Sequence, residues 1–238
     1  MIRQVPLALG RKDGLAFESY LPGANSEIVS YLRRLSGGRC DAPVYLYGEP
    51  ASGKTHLLQA VCQAASDRAQ AAIYLPMGLA AEFPYEMLDG IERVGVVCID
   101  DIQEIAGRRD WEMAILKLLD RIEDTRGVVV VAGATLPAEL GLERSQLAAR
   151  LGGGLEFRLA GLTAAERQDA LALRASRRGF ELPPEAGRYL LRHHGASMAT
   201  LMEALDIVDK ASIAAQRKLT VPFVRRVLAQ SDTPVDKQ

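Results

Sequence analysis

Residues Gly48, Glu49, Pro50, Ala51, Ser52, Gly53, Lys54 and Thr55 satisfy the pattern G-x-x-x-x-G-K-[ST]. Glycines at its two ends let the loop fold so that consecutive backbone N–H groups face one anion. A helix starting just behind the loop adds its partial positive charge there. Lys54 is then placed to neutralise the β- and γ-phosphates, and the Thr55 hydroxyl to complete a Mg²⁺ shell. The pattern therefore predicts ATP or ADP with Mg²⁺ as the ligand. His56 follows on the helix and is expected to pack beside the nucleotide rather than to do chemistry. The second pair of interest is Asp100-Asp101, which ends the apolar run Val96-Val97-Cys98-Ile99. Two carboxylates at the tip of a buried strand put Asp100 beside the metal and Asp101 where it can orient an attacking water.

Such a site needs parallel strands that end on one edge. The sequence has the pattern for them. Apolar runs at Val44–Tyr47, Ala71–Leu75, Val94–Ile99 and Val128–Ala132 have strand length. Helical spacing intervenes over Thr55–Ser66, Glu86–Glu92 and Asp110–Glu123. Fully apolar strands separated by helices indicate a parallel sheet covered on both faces, with ligands bound at the strand C-terminal ends. After about Leu159 no strand pattern recurs. Thr163-Ala-Ala-Glu166 is a capping box opening a helix that Gly179 can stop. Pro183-Pro184 introduces a second helix ending near Gly195. Ser197 caps a third running to about Lys218, and Val221–Gln230 forms a fourth. The fold class expected is α/β, a phosphate-loop parallel-sheet domain followed by a small all-α bundle.

Composition excludes several alternatives. Of 238 residues, 48% are hydrophobic and 25% charged, which is ordinary globular composition rather than that of a disordered chain. Lys plus Arg (29) nearly cancels Asp plus Glu (30), so a whole-surface electrostatic grip on nucleic acid is not expected. Cys40, Cys62 and Cys98 show no C-x-x-C spacing, and His56, His193 and His194 do not complete a zinc set. The apolar runs are far too short to span a bilayer, and no signal-peptide core is seen, so no membrane association and a cytoplasmic location are expected.

The segment Cys98–Gly107, CIDDIQEIAG, together with the phosphate loop, resembles the ATPase module of the DnaA family of AAA+ proteins. Longer stretches resemble the Hda branch of that family: Phe17–Asn25 (FESYLPGAN), Trp111–Ile115 (WEMAI), Arg178–Pro183 (RGFELP) and Ala211–Phe223 (ASIAAQRKLTVPF). The resemblance implies an AAA+ domain over 25–160 and a helical lid over 161–230. A clamp-binding arm and linker would occupy 1–24, and a disordered tail 231–238. It implies that Arg150, in Leu147-Ala-Ala-Arg150-Leu151, is an arginine finger acting on a nucleotide bound by a neighbouring subunit, with Arg144 in reserve. Gln4, Leu7 and Leu9 resemble the Q-x-x-L-x-L peptide that binds the sliding clamp. Two positions depart from the pattern. Ala134 stands where a polar sensor is usual, and Ala199 where the lid normally supplies an arginine. Both departures imply slow hydrolysis by this chain alone.

The function so implied is regulation of chromosome replication. Bound to the clamp, and reaching DNA only through it, the protein would stimulate hydrolysis of ATP held by DnaA and prevent re-initiation. Nucleoid association and possible assembly into a homo-oligomer go with that role. No DNA-reading helix-turn-helix domain is expected after the lid. Rival readings are a self-contained ATPase resembling the DnaC helicase loader, and a non-catalytic adaptor for DnaA.

Overall fold

The computed structural model describes residues 15–37, 42–195, 197–215 and 218–231. Five parallel strands form one sheet: β1 (Val44–Tyr47), β2 (Ala72–Pro76), β3 (Val96–Asp100), β4 (Val128–Gly133) and β5 (Leu155–Arg158). Their order is β2-β3-β4-β1-β5. β4 thus lies between the strand that leads into the phosphate loop and the strand that ends in Asp100. The register pairs Val44 with Val130 on one side of β1 and with Leu155 on the other. β3 and β4 are buried along their whole length. Their β-branched side chains suit a sheet covered on both faces.

Those faces are covered by helices α1 (Ser26–Leu35), α2 (Lys54–Ser66), α3 (Arg109–Thr125) and α4 (Ser145–Gly152). Val44, Leu46, Cys98 and Val130 point to one face and pack with Leu57, Leu58 and Val61 of α2 and Leu32 of α1. Tyr45, Val97, Ile99 and Val131 point to the other, against Trp111, Ile115 and Ile122 of α3 and Leu147 and Leu151 of α4. This two-residue alternation is what a pleated strand imposes. Trp111 is a core residue, as expected from the sequence.

Two local expectations need correction. Glu86–Glu92 is not a helix. Two short 3₁₀ turns, Tyr85–Leu88 and Ile91–Arg93, occupy the region, separated by Gly90 at φ 89°. β5 carried no strand signal because it is an edge strand, with Leu155, Glu156 and Arg158 exposed. A side chain on Gly154, just before β5, would run into the backbone of Pro43.

The lid holds α5 (Ala164–Arg177), α6 (Pro184–His194), α7 (Met198–Ala215) and α8 (Val221–Ser231) around its own core of Leu171, Leu190, Leu205, Val208 and Val224. The capping box forms as the sequence indicates. Thr163 Oγ1 accepts from the Glu166 N–H at 3.3 Å, and Glu166 Oε2 accepts from the Thr163 N–H at 2.8 Å. Ser197 and Thr200 cap α7 reciprocally at 3.1 Å. Among the described residues no helix is long and apolar enough to cross a membrane.

Candidate functional site

Between β1 and α2 the chain bends sharply. Gly48 has φ 153°, Ala51 φ 61° and Gly53 φ 97°. Left-handed backbone at Ala51 costs an alanine roughly 1–2 kcal/mol, strain of the kind found where backbone N–H groups are turned toward a ligand. Neither glycine tolerates a side chain: a Cβ on Gly48 would approach the Leu159 carbonyl to 2.7 Å, and one on Gly53 would approach the Tyr20 ring to 2.7 Å. Tyr20 therefore lies directly over the loop. α2 has no side-chain N-cap, so its first N–H groups face the loop without a side-chain acceptor.

Inside this loop the Lys54 ammonium is buried and donates to the carbonyls of Gly48 at 2.7 Å and Glu49 at 3.1 Å. Burial pushes its pKa down, and the nearby charges of Asp100, Asp101 and Glu49 oppose that shift. Among the described residues the buried Ser52 hydroxyl finds no hydrogen-bond partner. An unpaired buried hydroxyl beside a buried cation and strained backbone fits an anion better than it fits a plain turn. Glu49, Pro50, Ala51 and Thr55 are exposed.

Asp100, only 1% exposed, ends β3 across from this loop. It accepts from the Tyr74 hydroxyl at 2.7 Å and from the Asp101 N–H at 3.0 Å, and Thr55 also bonds its carboxylate. Burial nevertheless pushes the carboxyl pKa up, Thr55 and Tyr74 oppose the shift, and Asp101 adds to it. A divalent cation at Thr55 and Asp100 would offset that desolvation cost, so the oxygen donors present fit Mg²⁺. Asp101 sits in left-handed backbone, φ 53°, and its Oδ1 accepts from Gln103 Nε2 at 3.0 Å.

His56 faces the segment that precedes α1. Its Nε2 lies 3.0 Å from the Ala16 carbonyl and 3.2 Å from Ser19 Oγ, and its ring meets Tyr20 edge to face. Burial lowers its pKa. The segment is tied to the lid junction by Asn25, whose side chain bonds both the N–H and the carbonyl of Ala160 at 2.9 Å.

Arg150, in the last turn of α4, lies away from this site. It lines a small cavity with Pro43 and Gly127, residues that precede β1 and β4, so it sits at the edge where those strands begin. Its guanidinium pairs with Glu123 of α3 and lies 3.5 Å from Asp120. Gln4, Leu7 and Leu9 lie outside the described residues.

Several contributors were assigned no role from the sequence: Tyr20, Asn25, Tyr74, Gln103 and Glu112, although all but Tyr74 lie in segments that carry the family resemblance. Glu112 is fully buried in α3 and accepts three backbone N–H groups, from Gly107 at 2.8 Å, Glu143 at 3.1 Å and Arg144 at 2.8 Å. It joins the segment after β3 to the start of α4. Glu112→Ala is expected to lower the unfolding free energy by about 3 kcal/mol, because it strands three buried donors. Urea denaturation of the nucleotide-free protein measures this, and a change below about 1 kcal/mol would contradict it.

The family model of the bacterial DnaA ATPase domain matches residues 12–158, and that of the Hda lid domain matches residues 164–228. Domain III of the Thermotoga maritima replication initiation protein DnaA is 18% identical, with a TM-score of 0.75 over 92% of this chain and 98% of that one. AMPPCP-bound DnaA from Aquifex aeolicus is 19% identical, with a TM-score of 0.69 over 82% of this chain and 64% of that one. A Thermotoga maritima RuvB variant, 16% identical, reaches 0.64 over 89% of this chain and 69% of that one. At such identities the solved structures speak for the fold alone. The family rests on the sequence matches, which span the sheet domain and the lid: this chain belongs to the bacterial DnaA ATPase family, as an Hda-like AAA+ protein.

Proposed function

We propose that the protein is a nucleotide-binding regulator of replication that promotes hydrolysis of ATP held by DnaA. The single observation carrying this reading is the pairing of a phosphate loop on one edge of the sheet with Arg150 on the other. A guanidinium at the far edge cannot serve this chain's own nucleotide, whereas it suits one presented by an adjacent ATPase. The loop from Gly48 to Thr55 holds the phosphates, Lys54 and Ser52 contacting them and Thr55 and Asp100 holding Mg²⁺. When bound, ADP or ATP with Mg²⁺ supplies a charged centre between sheet and lid. His56, Tyr20 and Asn25 keep the preceding segment against that centre and against the lid junction. Ala134 and Ala199 stand where the family has its polar sensor and its lid arginine, so hydrolysis by the chain alone is slow.

Gln4, Leu7 and Leu9 tether the molecule to the sliding clamp on DNA in the cytoplasm, raising its concentration near newly replicated DNA. The test is DnaA-bound ATP hydrolysis with clamp loaded on DNA. Wild type is expected to accelerate it, and Gln4→Ala with Leu7→Ala to lose at least about tenfold of that acceleration when protein is limiting. No acceleration by wild type overturns the reading. Equal acceleration by the double variant overturns the tether.

A further inference from the structure

We propose that Gln103 is a positioning residue for Asp101, holding the carboxylate in place through a bridge to the tip of β4. The inference rests on reading the Gly48–Thr55 loop as an ATP site. Gln103 lies in the 3₁₀ turn Ile102–Ile105 that follows β3. Its Nε2 donates to Asp101 Oδ1 at 3.0 Å, and its Oε1 accepts the Ala134 N–H at 3.1 Å. The two bonds admit one orientation of the amide. A backbone N–H can only donate and an ionised carboxylate can only accept, so the carbonyl faces Ala134 and the NH₂ faces Asp101.

The far end of this bridge is itself fixed. Tyr45, on the neighbouring β1, donates through its hydroxyl to the Thr135 carbonyl at 2.9 Å. Gly133 leaves no room for a side chain, because a Cβ there would collide with the Tyr45 hydroxyl and press on Ile102. Ala134 contributes only its backbone N–H. One side-chain amide therefore transmits the position of the β4 tip to Asp101, whose own backbone is in a left-handed conformation and whose charge is felt by Lys54. Misplacing a water-orienting group by about an ångström is enough to cost of order a hundredfold in rate.

Three substitutions separate the two halves of the bridge. Gln103→Glu keeps an acceptor for Ala134 but turns a negative charge toward Asp101. Gln103→Lys keeps a donor for Asp101 and loses the acceptor. Gln103→Leu loses both. With protein in excess over ATP, single-turnover hydrolysis is expected to fall about tenfold or more in Gln103→Glu and Gln103→Leu, and by an intermediate factor of about three to ten in Gln103→Lys, which keeps the donor to Asp101 but loses the anchor at Ala134. Affinity for ATP with Mg²⁺ is expected to stay within about twofold throughout. In nucleotide-free protein, the Gln103 side-chain NH₂ signals in NMR should move on Asp101→Ala, reporting the bond without any turnover. Gln103→Glu as fast as wild type overturns the proposal. So does a joint loss of rate and affinity in all three variants, which marks a tie that merely holds the loop. If wild type binds no nucleotide, the reading of the loop fails and the positioning role falls with it.

Discussion

Arg150→Ala is expected to reduce stimulation of DnaA-bound ATP hydrolysis by about 10³-fold or more, the scale on which arginine fingers act in GTPases. The affinity of the variant for its own nucleotide should be unchanged, because Arg150 sits where β1 and β4 begin and the phosphate loop sits where β1 ends. In the single chain its side chain is 28% exposed and its guanidinium pairs with Glu123 and Asp120, whose side chains are 51% and 62% exposed. Ion pairs between such exposed groups are worth about 0–1 kcal/mol. Leaving them to reach a partner's phosphate is therefore a small cost against the gain in a desolvated seam. Arg150→Lys should rescue little, since an ammonium lacks the planar fork that spans two phosphate oxygens. The measurement is ATP turnover in the reconstituted DnaA reaction. Undiminished stimulation by Arg150→Ala would leave the protein an adaptor without a catalytic contribution.

Lys54→Ala should weaken ATP and ADP binding by about 100-fold or more, read by titration with a fluorescent nucleotide. The ammonium is the buried cation of the loop, and burial already pushes its pKa down. It donates to the carbonyls of Gly48 and Glu49. Removing it takes away a desolvated charge together with two hydrogen bonds, so the free protein should unfold within about 1 kcal/mol of wild type. A large loss of stability with little loss of affinity would make Lys54 a structural residue and the loop something other than a nucleotide site. Because Lys54 and Arg150 lie at opposite edges of the sheet, their effects on nucleotide binding and on stimulation should separate cleanly.

The parts of the candidate site were legible in the sequence wherever they depended on a few neighbouring residues. Gly48–Thr55 is one continuous loop, and Asp100-Asp101 ends a run of apolar residues. The capping box of Thr163 with Glu166 spans four residues. β3 and β4 were visible because a strand buried on both faces reads as an unbroken apolar run. β5 escaped because an edge strand alternates with solvent and has only four residues to show it. The turns between Tyr85 and Arg93 were misjudged as a helix because Gly90 breaks a pattern otherwise at helical spacing.

By itself, then, the chain's order of residues determined the phosphate loop, the two aspartates, the parallel sheet, the helical lid and the family. The first four are local patterns of spacing and hydropathy, read with no partner distant in sequence, whereas the family rests on the resemblance of whole segments to known sequences. Tertiary structure alone decided which side chains connect those parts. It joined Asn25 to Ala160, Glu112 to Arg144, Tyr45 to Thr135 and Gln103 to Ala134, and it set Arg150 against Asp120 and Glu123. Each of those contacts exists because a parallel sheet brings together strand ends and helices separated by tens of residues, and a polar group finds its partner only after the apolar faces have been buried.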